Sequence, residues 1–521
     1  MTEANTDHFP TETEGLAEAR LPETVELADG DRLEIEVTAV RKQIGDAEIR
    51  MLAYNGSVPG PVLVVDEGAE VEVLTTNRGD IATTVHWHGL RLANEADGVP
   101  GDTQAPIEIG ESYTCRVRFP DAGIYWYHPH LREDFAQEMG LYGTIVVRPR
   151  DESYWAPADR ELTITLDDLM IEDGKMVPFG RSGPNFTAMG RFGNTMLING
   201  QTELAEEVSA GDVVRIHLVN TANTRIFNIA VNGARMKLVG GDSGRYEREE
   251  FVEEVLLSPS ERITLDVLFE TSGEAHLEHR TPDHTYDLGA FKVTDASASN
   301  GSAAAFEELR IDPELAKIRE SLADHLEREP DKVLNIHSEM PILYGGDQAE
   351  ASSYACPMHP EVIADSADEP CPKCGMKLVP AEPTTYVCPM HPDVTAGSAE
   401  DCPKCGMKLI PAEKAEGMAE DGHAHEHGDH GDGLEWEDLM PEINRKTDDS
   451  NMVWQLVDAE GGGRNHEISW ALKVGDQVKI RLVNGMEQEH PMHHPFHIHG
   501  AGRFLVLSRD GKPEENLVWK D

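Results

Sequence analysis

Over the first half of the chain, apolar and polar residues alternate one by one in short runs. Examples are "RLEIEVTAVRKQ" (32–43), "PVLVVDEGAEVEVLTTN" (61–77), "ESYTCRVRF" (111–119) and "YGTIVVRP" (142–149). Successive side chains of a strand face opposite sides, so a period of two predicts strands with one face in a core. Gly and Pro fall between the runs, and many short strands separated by turns predict a β-sandwich or barrel.

A Pro- and Asp-bearing junction, "RPRDESYWAPADRE", leads into a second set: "ELTITLDDLM", "DVVRIHLVNT", "RITLDVLFE" and "AFKVTDAS". The stretch "GDVVRIHLVN" (211–220) returns as "GDQVKIRLVNG" (475–485) and in degenerate form as "EGAEVEVLTTN", which predicts repeats of one sandwich unit. "SASNGSAAAF" reads as a linker, and "ELAKIRESLADHLERE" as a charged connecting helix.

A third unit starts at "KVLNIHSEM" and is interrupted by a direct repeat, "YACPMHPEVIADSADEPCPKCGMKLVPAE" (354–382) and "YVCPMHPDVTAGSAEDCPKCGMKLIPAE" (386–413). The tract "HAHEHGDH" (423–430) follows, and the unit resumes at "GLEWEDLMPEINRKT". The expected division is a disordered acidic N-terminus at 1–24, sandwiches at 25–150 and 151–297, and a linker with helix at 298–331. A third sandwich is expected from 332–349 and 434–521, around an insertion at 350–433.

Composition narrows the function. The chain has 521 residues, with 96 acidic against 45 basic ones, and a formal net charge of −51. Such a field repels phosphate, so nucleic acid is not an expected partner. The carboxylates are spread along the chain, as on the solvated surface of a halophilic protein. No run approaches the roughly 18 apolar residues of a membrane helix. The first residues lack the basic and apolar regions of a signal peptide. Six of the seven cysteines sit in the "CPM…CPKC" units, and the seventh, Cys115, is expected to be a buried structural thiol on a strand.

Histidine carries the chemistry. "HPMHHPFHIHG" (490–500) holds five histidines, and two more pairs stand in "HWHG" (His86, His88) and "YHPH" (His128, His130). On an extended chain, an H-x-H spacing sends both imidazoles to one side, where they can face one metal or two adjacent ones. A lone pair of this kind is weak evidence. Three such pairs, flanked by aromatic residues or proline at strand ends, point to copper, zinc or iron bound by imidazole.

With "HWHG", "YWYHPH" and "HPFHIHG" in this order, the chain resembles the multicopper oxidases, the family of laccases and cuprous oxidases, from about residue 25 to 521 outside the insertion. The resemblance implies an all-β fold of three cupredoxin-like Greek-key β-sandwiches, with the small Cys/His metal-binding modules inserted in the third. It implies four copper ions in the complete enzyme. His86 and His497 then match type 2 copper ligands, His88, His128, His130 and His499 match type 3 ligands, and His494 matches a type 1 ligand. His490 and His493 match no ligand position. Asp97, in "HWHGLRLANEADGVPG", falls where the family places an acid beside the trinuclear cluster; a turn-forming Asp before Gly98 is the other reading.

Type 1 copper needs a Cys thiolate as well. In the family it comes from a later "HCH…H" motif, which is expected downstream of Asp521 if the chain is a fragment. The oxidase reading depends on that motif.

Each inserted repeat offers soft ligands: Cys356, Met358, His359, Cys371 and Cys374 in the first, and Cys388, Met390, His391, Cys402 and Cys405 in the second. A CxxC pair with a third Cys and a nearby His or Met suits Zn(II) or Cu(I). The repeats resemble the small heavy-metal-binding domain.

The expected function is therefore oxidation of a small-molecule, phenolic or Cu(I) donor with dioxygen as acceptor, in copper tolerance. The alternative is a non-catalytic copper- or zinc-binding protein on an oxidase scaffold.

Overall fold

The computed structural model describes residues 8–295, 302–339, 434–438, 440–485, 493–500 and 502–521, with short pieces of 354–412. The described chain divides into two compact units. The first comprises 1–184, 191–328 and 494–521, and the second 185–190 and 329–493.

The first unit holds two sandwiches. In one, a five-stranded sheet runs in the order Thr24–Leu27, Val62–Asp66, Gly143–Arg148, Gly123–His128, His86–His88. Its partner sheet runs Ala47–Tyr54, Arg32–Ile44, Glu70–Arg78, Ser112–Arg118. The alternation in "RLEIEV" becomes the burial pattern of that strand, with Leu33, Ile35 and Val37 inside and the glutamates outside. Both sheets close on one core that includes Val71, Val117, Trp87 and Tyr127.

The other sandwich packs a six-stranded sheet against a five-stranded one. The first has Arg160–Leu169, Val213–Asn220 and Arg262–Leu268 at its centre, and the second has Thr285–Thr294 and Gly273–Arg280. Val213–Asn220 and Arg262–Leu268 are buried along their whole length, as befits strands covered on both faces. The predicted connecting helix is present as Pro313–Glu327, started by Asp312, whose side chain accepts from the backbone N–H groups of Glu314 and Leu315.

In the second unit, Val453–Asp458, Lys332–Glu339 and Ile480–Asn484 form a three-stranded sheet. The strand before the insertion thus lies between two strands that follow it. Each inserted repeat has its own three-stranded sheet, centred on Tyr354–Cys356 and on Tyr386–Val387, so the sequence repeat is also a structural one.

Two expectations need correction. The N-terminal residues were expected to be disordered, yet from His8 onward they lie against the first sandwich. Phe9 is buried and stacks on Phe135 with ring centroids 3.8 Å apart, and backbone bonds from Phe9 to Phe179 and from Ala19 to Arg41 tie the segment down. An aromatic anchor and backbone bonds hold this acidic stretch. Cys115 does lie on a strand, opposite Val73, but it is half-buried, packed at the margin of the core with its thiol pushed up to about 11 by burial.

Candidate metal centre

The histidine site begins with one strand pair. His86–His88 runs antiparallel to Gly123–His128, with His86 opposite His128, Trp87 opposite Tyr127 and His88 opposite Trp126. Directly opposed residues share a face, so Trp87 and Tyr127 go into the sandwich core while the histidines share the other side. Trp126 stacks on His128, with centroids 4.1 Å apart.

The segment His494–Gly500 has no regular secondary structure, yet it brings His497 and His499 to the same place. His497 stacks on His88 at 4.0 Å between centroids, and His499 lies 4.4 Å from His86. Among the described residues, three groups have ligand atoms within 4.8 Å of one another: His86, His88 and His128; His86, His497 and His499; His88, His497 and Asp521. His130 joins through a contact of 3.0 Å between its Nε2 and Nε2 of His499. Six of the seven predicted copper histidines therefore converge. His494 is half-buried three residues before His497, His493 is half-buried with Nδ1 3.8 Å from Glu435, and His490 lies outside the described residues.

Hydrogen bonds fix the state of several rings. His86 Nδ1 is 2.6 Å from the Asp97 carbonyl oxygen and His128 Nδ1 is 2.8 Å from that of Pro129. A carbonyl only accepts, so Nδ1 carries the proton in both rings, and Nε2 keeps its lone pair. Both Nε2 atoms are buried with no hydrogen-bond partner among the described residues. Leaving such an acceptor unmade costs about 1–3 kcal/mol, and a bound cation removes that cost.

Electrostatics point the same way. Burial first, then the neighbouring imidazoles, hold His86 and His88 well below the ordinary histidine pKa of 6.5. Burial brings His128 to about 3 and His497 to about 4. These rings stay neutral at physiological pH, the form a metal requires. His130 differs: burial lowers its pKa, but the Glu133 carboxylate 2.9 Å from its Nδ1 more than offsets this and raises it. Glu133 accepts from His130, Asp97 Oδ2 lies 3.2 Å from His499 Nδ1, and the two Nε2 atoms share a hydrogen bond in which either ring can donate.

Asp97 is buried at the end of the short helical turn Asn94–Ala96. Gly98 follows with φ +79°, and a Cβ there would lie 2.2 Å from the Val85 carbonyl oxygen, so the Asp-Gly turn also serves close packing against the histidine strand. Sequence reasoning missed Glu133, Asp521, Arg262 and Ser243, all of which contact the site or its supports. Only Glu133 had a local signal, an acid three residues after His130.

In the insertion, Cys388 and Cys402 are buried together with Leu409. Cys356 ends one strand and pairs in register with His359, which begins the next. Met358, Cys371, Cys374, Met390, His391 and Cys405 lie outside the described residues.

A multicopper oxidase model matches residues 34–152, the stretch that holds His86, His88, Asp97, His128 and His130. The chain carries a multicopper oxidase domain. A heavy metal binding domain model matches 353–381 and 385–412, the two inserted repeats. Copper resistance protein A of Escherichia coli is 27% identical over 291 residues, 47% of this chain and 47% of that protein. Multicopper oxidase MmcO of Mycobacterium tuberculosis is 30% identical over 263 residues, 45% of this chain and 50% of its own. The chain thus spans about half the length of these curated relatives. The crystal structure of McoA multicopper oxidase from Aquifex aeolicus aligns with a TM-score of 0.50 at 20% identity, over 65% of this chain and 77% of that one, a likeness of fold. The metal that a multicopper oxidase domain implies is copper, and the imidazole-rich ligand set fits it. Among the described residues no helix is long and apolar enough to cross a membrane.

Proposed function

We propose that the chain works as a multicopper oxidase that couples one-electron oxidation of a donor, Cu(I) or a phenol, to the four-electron reduction of dioxygen to water, in copper tolerance. The observation that carries this reading is the pair of buried Nε2 lone pairs on His86 and His128, in a cluster of imidazoles held neutral. His86 and His497 would hold type 2 copper, and His88, His128, His130 and His499 the type 3 pair. His494 would serve a type 1 copper. Copper bound there supplies reversible one-electron chemistry and a place for dioxygen to be reduced.

The chain's own residues supply the rest. Backbone carbonyls of Asp97 and Pro129 hold two rings in the ligand tautomer. The Asp97 carboxylate, buried beside His86 and His499, would pass the protons that reduction of oxygen to water consumes. The inserted repeats would capture soft metal through Cys356, Cys388, Cys402 and their neighbours, as Zn(II) or Cu(I), and the Cu(I) form would feed the oxidation.

The test is oxygen uptake by the copper-loaded protein with Cu(I) and with a phenol as donor. Uptake without accumulation of peroxide supports the reading, and copper retention with no uptake from either donor contradicts it. Deleting 350–433 should lower Cu(I) oxidation more than phenol oxidation; equal losses would remove the insertion from electron-donor selection.

A further inference from the structure

Three histidine-bearing stretches of the first unit meet at one carboxylate outside the metal centre. Asp121 stands in the turn before Gly123–His128, and its backbone carbonyl accepts from the Tyr125 hydroxyl at 3.2 Å. Arg91, three residues past His88, grips the carboxylate with two N–H groups: Nε donates to Oδ2 at 2.7 Å and Nη2 donates to Oδ1 at 2.8 Å. Arg503, four residues past His499, brings Nη2 to 3.4 Å from Oδ1 as an ion pair. The Asp121 side chain is only 13% exposed, so two cations share one largely covered anion.

The stretch after His499 is built around this contact. Gly502 has φ +80°, and a Cβ on it would lie 1.9 Å from Arg91 Cγ, so its backbone lies directly against the Arg91 stem. The Arg503 guanidinium sits over the Trp519 ring at 4.6 Å. Phe504 and Leu505 pair antiparallel with Lys520 and Trp519, and the Trp519 carbonyl accepts from the Ser243 N–H of the neighbouring sandwich at 3.2 Å. The chain is therefore tied down at 502–505, just past two histidines that lie on no strand or helix.

We propose that Asp121 is a positioning residue that joins the three stretches: through Arg91 and Arg503 it fixes where His497 and His499 stand opposite the strand histidines. A planar guanidinium that donates two parallel N–H bonds allows one orientation, so Arg91 holds the carboxylate rigidly on the first sandwich. Oδ1 then attracts Arg503, and with it the stretch that carries His499. Partly exposed ion pairs add little to global stability, so the clamp acts on the place of that stretch rather than on folding. The inference rests on the copper reading of the site.

The test follows the ring signals of the full chain, metal-free, with nitrogen-15-labelled histidine. In Asp121→Ala the signals of His497 and His499 should shift and broaden, while those of His86 and His128, set by strand pairing, stay in place. Arg503→Met should reproduce this, because it keeps the apolar stem and removes the charge. Arg503→Lys should leave the rings where they are, since one ammonium can meet both the single contact with Asp121 and the face of Trp519. On titration with Cu(I), the His499 response in Asp121→Ala should need about tenfold more Cu(I) than in the unaltered chain.

Unchanged His497 and His499 signals in a folded Asp121→Ala overturn the proposal. So does an equal disturbance of His86 and His128, which would mean a general loosening of the first sandwich. If Asp121→Ala does not fold, Arg503→Met decides on the same signals: rings that stay put there, or that move as far in Arg503→Lys, overturn it. If Cu(I) perturbs no ring of the cluster in the unaltered chain, the copper reading fails, while the metal-free spectra still decide the clamp.

Discussion

The two sides of the histidine site are built differently. His86, His88 and His128 sit on paired strands, buried, with their register set by backbone bonds and by Trp87 and Tyr127 in the core behind them. His497 and His499 sit on a segment without regular structure, partly exposed, and meet the others through ring contacts and through Asp97. One side is made by the sandwich; the other is held by carboxylates and ring stacking. The comparison separates what the fold fixes in advance from what individual side chains must supply.

Breaking the fold side should have the largest effect. Trp87 is fully buried behind both strand histidines, so Trp87→Ala should cost about 3–5 kcal/mol in chemical denaturation and abolish copper binding at His86 and His128. A loss below about 1 kcal/mol would mean that the strand side is not set by core packing.

Acid should also act first on the strand side. His86 and His88 are held well below 6.5 by burial and by their neighbours, and burial takes His128 to about 3. Below pH 6.5 the unfolded chain binds protons that these folded rings refuse. The metal-free protein should therefore keep its stability above that pH and lose it as pH falls from 6.5 toward about 3. Thermal unfolding against pH reads this directly, and His128→Asn should flatten the slope. A slope unchanged by that substitution would move the effect to other groups.

The carboxylate side should respond more gently. Asp97→Leu keeps the backbone bond to His86 but removes the carboxylate near His499, so copper held by His499 should weaken by about tenfold while that held by His128 does not change. Asp97→Asn should keep copper and slow reoxidation by oxygen, because an amide cannot pass a proton. Equal oxygen kinetics at every pH would remove Asp97 from the chemistry.

Glu133→Gln is the smallest test. Its carboxylate is partly exposed and touches one ring, so a loss of less than about tenfold in copper affinity at His130 is expected. A larger loss would mean that the exposed edge of the site is as tightly organised as the buried one.

Much of this was legible in the sequence because it is local. Period-two alternation gave the strands of both sandwiches, and the spacing of His86 and His88 told which side of a strand they share. The repeat at 354–413 announced two modules of the same design, which the paired small sheets reproduce. Asp97 stood out through the family resemblance, which implies an acid at that position.

What stayed hidden is long-range. Asp521 lies near His88 and pairs with Arg262, both distant in the chain, and nothing near "LVWKD" marks that aspartate among 96 acids. Acidity read as a solvated surface also concealed carboxylates in the interior, such as Asp168, which is fully buried and paired with Arg225 at 2.6 Å. Charge patterning along a chain cannot separate a solvated carboxylate from one that folding carries to a partner. Phe9 escaped for the opposite reason, as one apolar residue in a polar stretch whose partner, Phe135, is distant in sequence.

The central claim is that the converging histidines hold copper, and diffraction from copper-loaded crystals at the copper absorption edge tests it most directly. The account predicts anomalous peaks among His86, His88, His128, His130, His497 and His499, with the Nε2 atoms of His86 and His128 turned to them. Peaks confined to the inserted repeats, with that cluster empty, would contradict it.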